Sequence, residues 1–239
     1  MKYIFIIILL ICTTLQAEQT YIGINSDSFS QNISSDYTYL GRMRSVDIYS
    51  VDRDKIQNIP RFPLSVDSPS YAQLLSNLLS TDIRSTSSYA GSYLIITHTN
   101  FLSAANILAR WKRSMGYYVR IATLEETGTS STSIHSYIQN AYNTFDNPPD
   151  YLLFIGDVSF PGGRLPDFGY ASYTSDHIYG CVDGSSYFPD IMVGRLAVDT
   201  GPEALIAVTK IIKQEEGTLD TSEVWQRRGI GIATYLHAI

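Results

Sequence analysis

Short apolar runs alternate with amphipathic stretches through the second half of the chain. Apolar runs of strand length occupy residues 93–97, 118–122, 151–155, 191–193 and 229–234. Between them, apolar residues recur every three or four positions, which is the spacing of one helix face. The predicted faces consist of Phe101, Ala105, Leu108, Trp111 and Met115, then Ile134, Ile138, Ala141 and Phe145, then Leu205, Val208 and Ile212. Strands that alternate with helices need crossover connections, so the pattern predicts an α/β fold with a doubly wound, mostly parallel sheet.

The first third of the chain lacks this regular alternation. Apolar and polar residues alternate weakly over 44–51, as in an edge strand, and prolines interrupt the backbone between 60 and 69. Leucines at helical spacing follow at 71–79. We interpret residues 18–90 as an irregular or β-rich, pro-segment-like extension in front of a main domain at 91–239. A small β-rich domain is the alternative interpretation.

The N-terminus has the pattern of an export signal. Lys2 supplies the positive start, residues 3–12 form the apolar core, and Ala17 offers a cleavage site. Residues 1–17 are therefore predicted to be a signal peptide, which places the mature chain outside the cell or in the cell envelope. An uncleaved anchor is the alternative, although the apolar run is shorter than a membrane span. Cleavage would leave Cys181 as a single cysteine, so the mature chain would have no internal disulfide.

Composition narrows the possible partners. The chain has 239 residues, of which 44% are hydrophobic and 17% charged, so it can build an ordinary globular core. Its formal net charge is −6, and the sequence has no long basic run. Because nucleic-acid surfaces need clustered lysine and arginine, this composition predicts no nucleic-acid partner.

Candidate chemistry follows the predicted strand at 151–155. That strand stops at Gly156 and Asp157, acidic turns follow at Asp176 and Asp183, and a later strand closes on Gly194-Arg195. In open α/β sheets the carboxyl ends of the strands form the ligand-binding edge. Asp157 is interpreted as an acceptor of N–H groups in its turn, and a calcium ligand or loop anchor is the alternative.

Cys181 and His177 invite a nucleophile–base interpretation because they lie four residues apart. The sequence around them is typical of a strand leading into a turn, where such residues would be about 13 Å apart. We therefore predict that Cys181 is an inert, buried thiol.

Several sequence blocks in a fixed order suggest a family. The blocks are YLIITH before a helix carrying WK, YLLFIGD after a proline pair, and SDHIYG, DG and FPDIMVGR in succession. Over about residues 92–234 the chain resembles the gingipain-type cysteine peptidases of peptidase family C25, which are secreted bacterial enzymes. The resemblance implies a caspase-like α/β fold and proteolysis of protein or peptide substrates through a Cys–His dyad.

The same resemblance implies that the dyad is absent from these residues. In the family the histidine lies in a Gly-His-Gly turn and the nucleophilic cysteine ends a later strand, and the sequence contains neither block. We therefore assign no catalytic residue and predict a truncated front part of the domain that is inactive alone.

The resemblance also assigns a substrate contact and leaves a metal open. It places Asp176 in the pocket that receives a basic side chain, although Ser175-Asp176 can equally be a structural turn. No cofactor is required, but gingipains bind Ca²⁺, and Asp183, Asp190 and the intervening serines could supply oxygen ligands without matching an EF-hand.

Two other functions stay open at this stage. One is a non-catalytic remnant of the same fold that binds peptides or a partner. The other is an unrelated flavodoxin-like binding domain, for which bound flavin would be diagnostic.

Overall fold

The computed structural model describes residues 19–25, 36–44, 46–52, 65–79, 83–158, 166, 168–170, 173–184 and 187–217. The predicted signal peptide and the predicted strand at 229–234 lie outside these ranges. Within them, no helix has both the length and the apolar character that crossing a membrane requires.

The N-terminal region is rich in strands, as predicted. Its antiparallel sheet contains β1 (Gln19–Asn25), β2 (Thr38–Met43) and β3 (Val46–Asp52), in the order β1-β3-β2. Helix α1 (Pro69–Leu79) follows, flanked by the short parallel pair β4 (Ser65–Val66) and β5 (Arg84–Ser85). Apolar residues of β3 and α1 pack together as a core of their own, which includes Ile48, Tyr71 and Leu75.

A four-stranded parallel sheet forms the centre of the main domain. Its strands are β6 (Ser92–Thr97), β7 (Tyr118–Thr123), β8 (Tyr151–Ile155) and β11 (Met192–Leu196), and their order is β11-β8-β6-β7. The predicted α/β class and parallel sheet are confirmed. These strands were predictable because a strand buried on both faces is an almost continuous apolar run.

Helices cover both faces of this sheet. They are α2 (Leu102–Ser114), α3 (Leu124–Thr127), α4 (Ser131–Thr144) and α5 (Gly201–Glu215). Helices α2 and α5 share one apolar cluster with residues such as Ile95 and Ile155, whereas α4 shares the opposite cluster with Leu94 and Phe154. The fold is therefore doubly wound.

Helix ends and faces differ from the prediction in detail. Ser130 caps α4 through its side chain, which accepts the Ser133 N–H, and Ser131 is the first helical residue. Met115 and Leu205 were predicted to be buried, but both are exposed. Val208 is buried as predicted, and Ala204 takes the place of Leu205 on the buried side of α5, because the helix turns its smaller side chains toward α2.

The connection from β8 to β11 contains structure that the sequence did not predict. It includes the antiparallel hairpin β9 (Phe168–Tyr170) and β10 (Tyr173–Ser175), followed by a 3₁₀ turn at His177–Gly180. The strand predicted around His177 and Cys181 is therefore wrong. Gly180 is required for close packing, because a Cβ at this position would lie 2.4 Å from the Ile191 carbonyl oxygen.

A buried arginine joins the N-terminal region to the amino end of the sheet. Arg44 lies in the turn between β2 and β3 with φ of 56°, a left-handed conformation that is unfavourable for a residue with a side chain. Its Nη2 donates to the Pro149 carbonyl and to Asp150, each at 2.8 Å. Its guanidinium lies over the rings of Tyr71 and Tyr142. The N-terminal region thus docks at the end of the sheet opposite to the predicted site.

Candidate functional site

The carboxyl ends of β8 and β11 form the candidate site. These strands are parallel neighbours, with Phe154 opposite Arg195 and Ile155 opposite Leu196. Hydrogen bonding continues past the strands, since the Gly156 N–H donates to the Leu196 carbonyl at 3.0 Å. Gly156 has φ of 137°, so the chain can turn sharply away at the end of β8.

Asp176 and Arg195 form a two-point ion pair at this edge. Arg195 Nε donates to Oδ2 of Asp176 at 2.8 Å, and Nη2 donates to Oδ1 at 2.7 Å. The third nitrogen, Nη1, donates to the Gly156 carbonyl at 2.9 Å, and the guanidinium lies 4.8 Å from the centre of the Phe154 ring. The planar guanidinium matches both carboxylate oxygens, which is the strongest geometry for such a pair.

Arg195 ties three chain segments together at this edge. It extends from β11, holds the end of β8 through Gly156, and fixes Asp176 at the start of the 3₁₀ turn. The sequence indicated Asp176 but not Arg195 as a site residue. The sequence did contain a signal for Arg195. It stands at the end of a predicted strand that follows the acidic turn, and parallel neighbouring strands bring their carboxyl ends to one edge of the sheet.

Asp157 lies beside this pair along the same edge. Its backbone N–H donates to the Val198 carbonyl at 3.1 Å, which fixes the chain just beyond β8 against the chain just beyond β11. The structure therefore places Gly156, Asp157, Asp176 and Arg195 at one edge. The other acidic turn, at Asp183, lies elsewhere, because its N–H donates to Asp190, which contacts Arg44 at the amino end of the sheet. That Asp176 contacts substrate stays a prediction.

Cys181 follows the 3₁₀ turn and lacks the environment of a nucleophile. Burial raises the pKa of its thiol from 9.0 to about 11, so the reactive thiolate is scarce at neutral pH. The sulfur lies 3.7 Å from the His177 backbone carbonyl. The His177 ring contacts the Tyr187 carbonyl at 2.8 Å, and the His135 ring contacts the Cys181 carbonyl at 3.2 Å. Both imidazoles thus bond to backbone oxygens.

Asp190, one of the predicted calcium ligands, instead binds backbone N–H groups. Asp190 is fully buried, and its carboxylate accepts N–H groups of Arg44 at 3.1 Å, Val182 at 3.1 Å and Asp183 at 2.9 Å. Burial raises the pKa of Asp190, while these backbone donors act in the opposite direction. Among the described residues, no group of three or more His, Cys, Asp or Glu side chains could hold a metal ion. The intervening Ser185 and Ser186 lie outside the described residues, and the described part does not fit a Ca²⁺ site.

Known proteins share this part of the chain. The model of Peptidase family C25 matches residues 86–237, which is more than half of the chain. Gingipain R2 of Porphyromonas gingivalis is 20% identical over 147 residues, covering 60% of this chain and 19% of the relative. Gingipain R1 of the same bacterium is also 20% identical over 147 residues, covering 60% of this chain and 14% of its own. The chain thus spans a fifth or less of these relatives.

Solved structures give weaker matches. A structure described as "Structure of Protease" has 23% identity and a TM-score of 0.49, covering 54% of this chain and 29% of its own. A complex of the Porphyromonas gingivalis RgpB pro- and mature domains has 18% identity and a TM-score of 0.48, and the match covers 52% of this chain and 29% of the chain in that structure.

Proposed function

Because this chain belongs to peptidase family C25, we propose that it forms one wall of the substrate cleft in an exported, gingipain-like cysteine endopeptidase. One observation carries the proposal: the family match at residues 86–237 includes the four described strands of the parallel sheet and the carboxyl edge where Asp176 and Arg195 lie. Ligand sites form at that edge in open α/β sheets, which supports its role as a cleft wall.

Asp176 is the residue that we propose to contact substrate. Its side chain is 25% exposed to solvent, so it is accessible although it is paired with Arg195. The Arg195 bond to Gly156 keeps the end of β8 in place beside it. These residues would orient a bound peptide, and they need no metal or organic cofactor for that task.

The chemistry of the family needs a cysteine and a histidine that we do not assign to this chain. In a cysteine peptidase, an imidazole helps to form a thiolate, the thiolate attacks the scissile carbonyl, and water hydrolyses the acyl-enzyme. Cys181 is unsuited to this role because burial raises the pKa of its thiol to about 11. We therefore propose that residues 1–239 alone do not hydrolyse peptide bonds.

A turnover assay tests this proposal. The purified chain is incubated with a fluorescent casein and a reductant, with Cys181→Ser as the matched variant. Neither protein should release fluorescence above the buffer rate. Turnover by the native chain that disappears in Cys181→Ser would instead identify Cys181 as the nucleophile and overturn the proposal.

Export and domain organisation form part of the same proposal. Residues 1–17 would be removed as a signal peptide, so the N-terminal sequence of the mature protein should begin at Glu18. Residues 18–90 would be the pro-segment-like extension in front of a domain at 91–239. The described part of this extension docks through Arg44 at the amino end of the sheet, opposite to the carboxyl edge. Protein or peptide is the proposed partner, and nucleic acid is not.

A non-catalytic peptide- or partner-binding role is the second candidate. The raised pKa of Cys181 favours it for residues 1–239 taken alone. Assays of peptide hydrolysis and peptide binding on any longer product of the same gene would distinguish the peptidase from the binding role. Peptide hydrolysis by such a product, through a cysteine beyond residue 239, would favour the peptidase. A longer product that binds peptides without cleaving them would favour the binding role.

A further inference from the structure

Strand β7 lies at one end of the parallel sheet and, among the described strands, has a neighbour on one side only, β6. We propose that Arg113 of α2 blocks the open side of β7 and keeps this strand from pairing with β7 of a second copy of the chain. Such a role concerns the association of whole chains, so it is independent of the proposed substrate cleft.

The shape and sequence of β7 suit it to strand pairing. It pairs with β6 from Tyr118 to Thr123 in an unbroken parallel register. Its sequence, YVRIAT, is rich in the β-branched and aromatic residues that favour strands. A straight edge of this kind presents backbone groups to any second strand and is a template for association unless something covers it.

The backbone groups of β7 point alternately toward β6 and away from it. The Tyr118 N–H donates to the Gly91 carbonyl at 3.0 Å, on the β6 side. Val119 is the next residue, so its N–H and carbonyl face the open side, and those of Ile121 face the same way. A second strand would therefore pair with Val119 and Ile121.

Arg113 binds the first of these outward groups. Its Nη2 donates to the Val119 carbonyl at 2.6 Å. A pairing strand would have to place its own N–H at this carbonyl, because neighbouring strands lie only about 4.8 Å apart. The guanidinium therefore occupies the position that a partner strand needs, and a charged donor binds the carbonyl more strongly than a neutral N–H would.

Symmetry makes the block stronger against a second copy. Two identical edges pair about a two-fold axis, so every contact occurs twice. Both copies would then bring an Arg113 guanidinium to the shared edge, where the two like charges repel each other.

The arginine within β7 itself has a different role. Arg120 donates to Glu126 at 2.6 Å and to the Tyr137 hydroxyl at 3.1 Å, and its guanidinium lies 4.6 Å from the centre of the Phe145 ring. These contacts hold Arg120 against α3 and α4, on one face of the sheet. Arg113 is therefore the arginine that binds on the open side of the strand.

Sedimentation and amide exchange on the purified chain test the proposal. Native protein and Arg113→Ala are compared from micromolar to millimolar concentration. The matched control is Arg110→Ala, which removes another exposed arginine from the same helix. The weight-average mass of Arg113→Ala should rise with concentration toward twice the monomer mass. Amide exchange at Ile121 should slow at least about tenfold as the dimer forms. Native protein and Arg110→Ala should show neither change.

Three results would contradict the proposal. Arg113→Ala could keep the monomer mass at every concentration, it could associate without slower exchange at Ile121, or native protein could protect Ile121 as strongly as the variant does. A lower melting temperature with unchanged mass would assign Arg113 only to the stability of the α2 terminus, where cations are favoured. If Arg113→Ala does not melt cooperatively, Arg113→Met replaces it with the same expectations, because methionine retains an apolar stem.

Discussion

Two arginine–aspartate pairs lie at opposite ends of the same parallel sheet. At the amino end, Arg44 pairs with Asp150 at 2.8 Å, and their side chains are 2% and 5% exposed. At the carboxyl end, Arg195 pairs with Asp176 at 2.7 Å, and their side chains are 11% and 25% exposed. The functional groups are the same, but the second pair is more exposed to solvent.

This difference in burial assigns the two pairs different roles. Asp150 also accepts the Ser92 N–H at 2.7 Å, so Arg44 connects the N-terminal region to the starts of β6 and β8. A charge buried this deeply must keep its partner, because losing it leaves an ion without water or counter-ion. The Arg195 pair is nearer to solvent, so its carboxylate does not depend on its partner to the same degree. The amino-end pair therefore attaches the N-terminal region to the sheet, and the carboxyl-end pair is the one that we propose for recognition.

Arg44→Met should cause the largest loss of stability. Methionine keeps much of the side-chain volume but leaves Asp150 buried without its cation, which typically costs about 3–5 kcal/mol. The free energy of unfolding should be measured by urea denaturation at neutral pH. The matched control is Arg42→Met on the neighbouring strand, whose pair with Asp47 at 2.9 Å is more exposed. That control should lose no more than about 1 kcal/mol. Equal losses in both variants would show that burial does not distinguish these pairs.

Arg195→Gln should destabilise the protein less than Arg44→Met. The variant loses hydrogen bonds to a charged group, worth about 1.5–3 kcal/mol, while solvent can reach the carboxylate that is left. Urea denaturation in low and high salt provides the measurement. Since salt screens exposed charges more than buried ones, high salt should narrow the difference between native protein and Arg195→Gln. If salt left the difference in the free energy of unfolding unchanged, the carboxyl-end pair would be as well shielded from solvent as the amino-end pair.

The sequence predicted the sheet better than it predicted either pair. Strands β6, β7, β8 and β11 leave a local signal, because each is an apolar run bounded by turns. The partner of Asp176 lies 19 residues away, and Asp150 lies 106 residues from Arg44. Such pairs depend on which strand ends meet in space. The hairpin of β9 and β10 was also missed, since three-residue strands are too short to show a period.

Asp190 offers a pH-dependent test of the amino-end attachment, since it accepts the Arg44 N–H. Burial raises the pKa of this carboxyl above its ordinary 3.8, so the carboxyl binds its proton more tightly in the folded state than in the unfolded state. Its contribution to stability is therefore complete below about pH 4 and decreases as pH rises through the folded pKa. The side-chain amide introduced by Asp190→Asn cannot titrate, so we expect the stability advantage of native protein over this variant to be greater at pH 4 than at pH 7. Each unit of pKa shift would contribute about 1.4 kcal/mol. The opposite trend in urea denaturation would mean that the backbone donors outweigh burial.

Cys181 lies between Asp176 and Asp190 in the sequence. Of the groups considered, its ionisation should change the stability of the protein least. Burial raises the pKa of its thiol from 9.0 to about 11, so at pH 8 its thiolate fraction should be about 100-fold lower than that of an unperturbed thiol. Because the folded pKa is raised, the stability contribution of the thiol is complete below pH 9 and is lost only as pH approaches 11. Alkylation by iodoacetamide, followed by mass spectrometry of the Cys181 peptide, should be slow at pH 8 and accelerate up to pH 11. Protein unfolded in urea is the control and should react at the ordinary rate. Rapid alkylation of the folded chain at pH 8 would show that Cys181 is activated, and residues 1–239 would then contain a nucleophile.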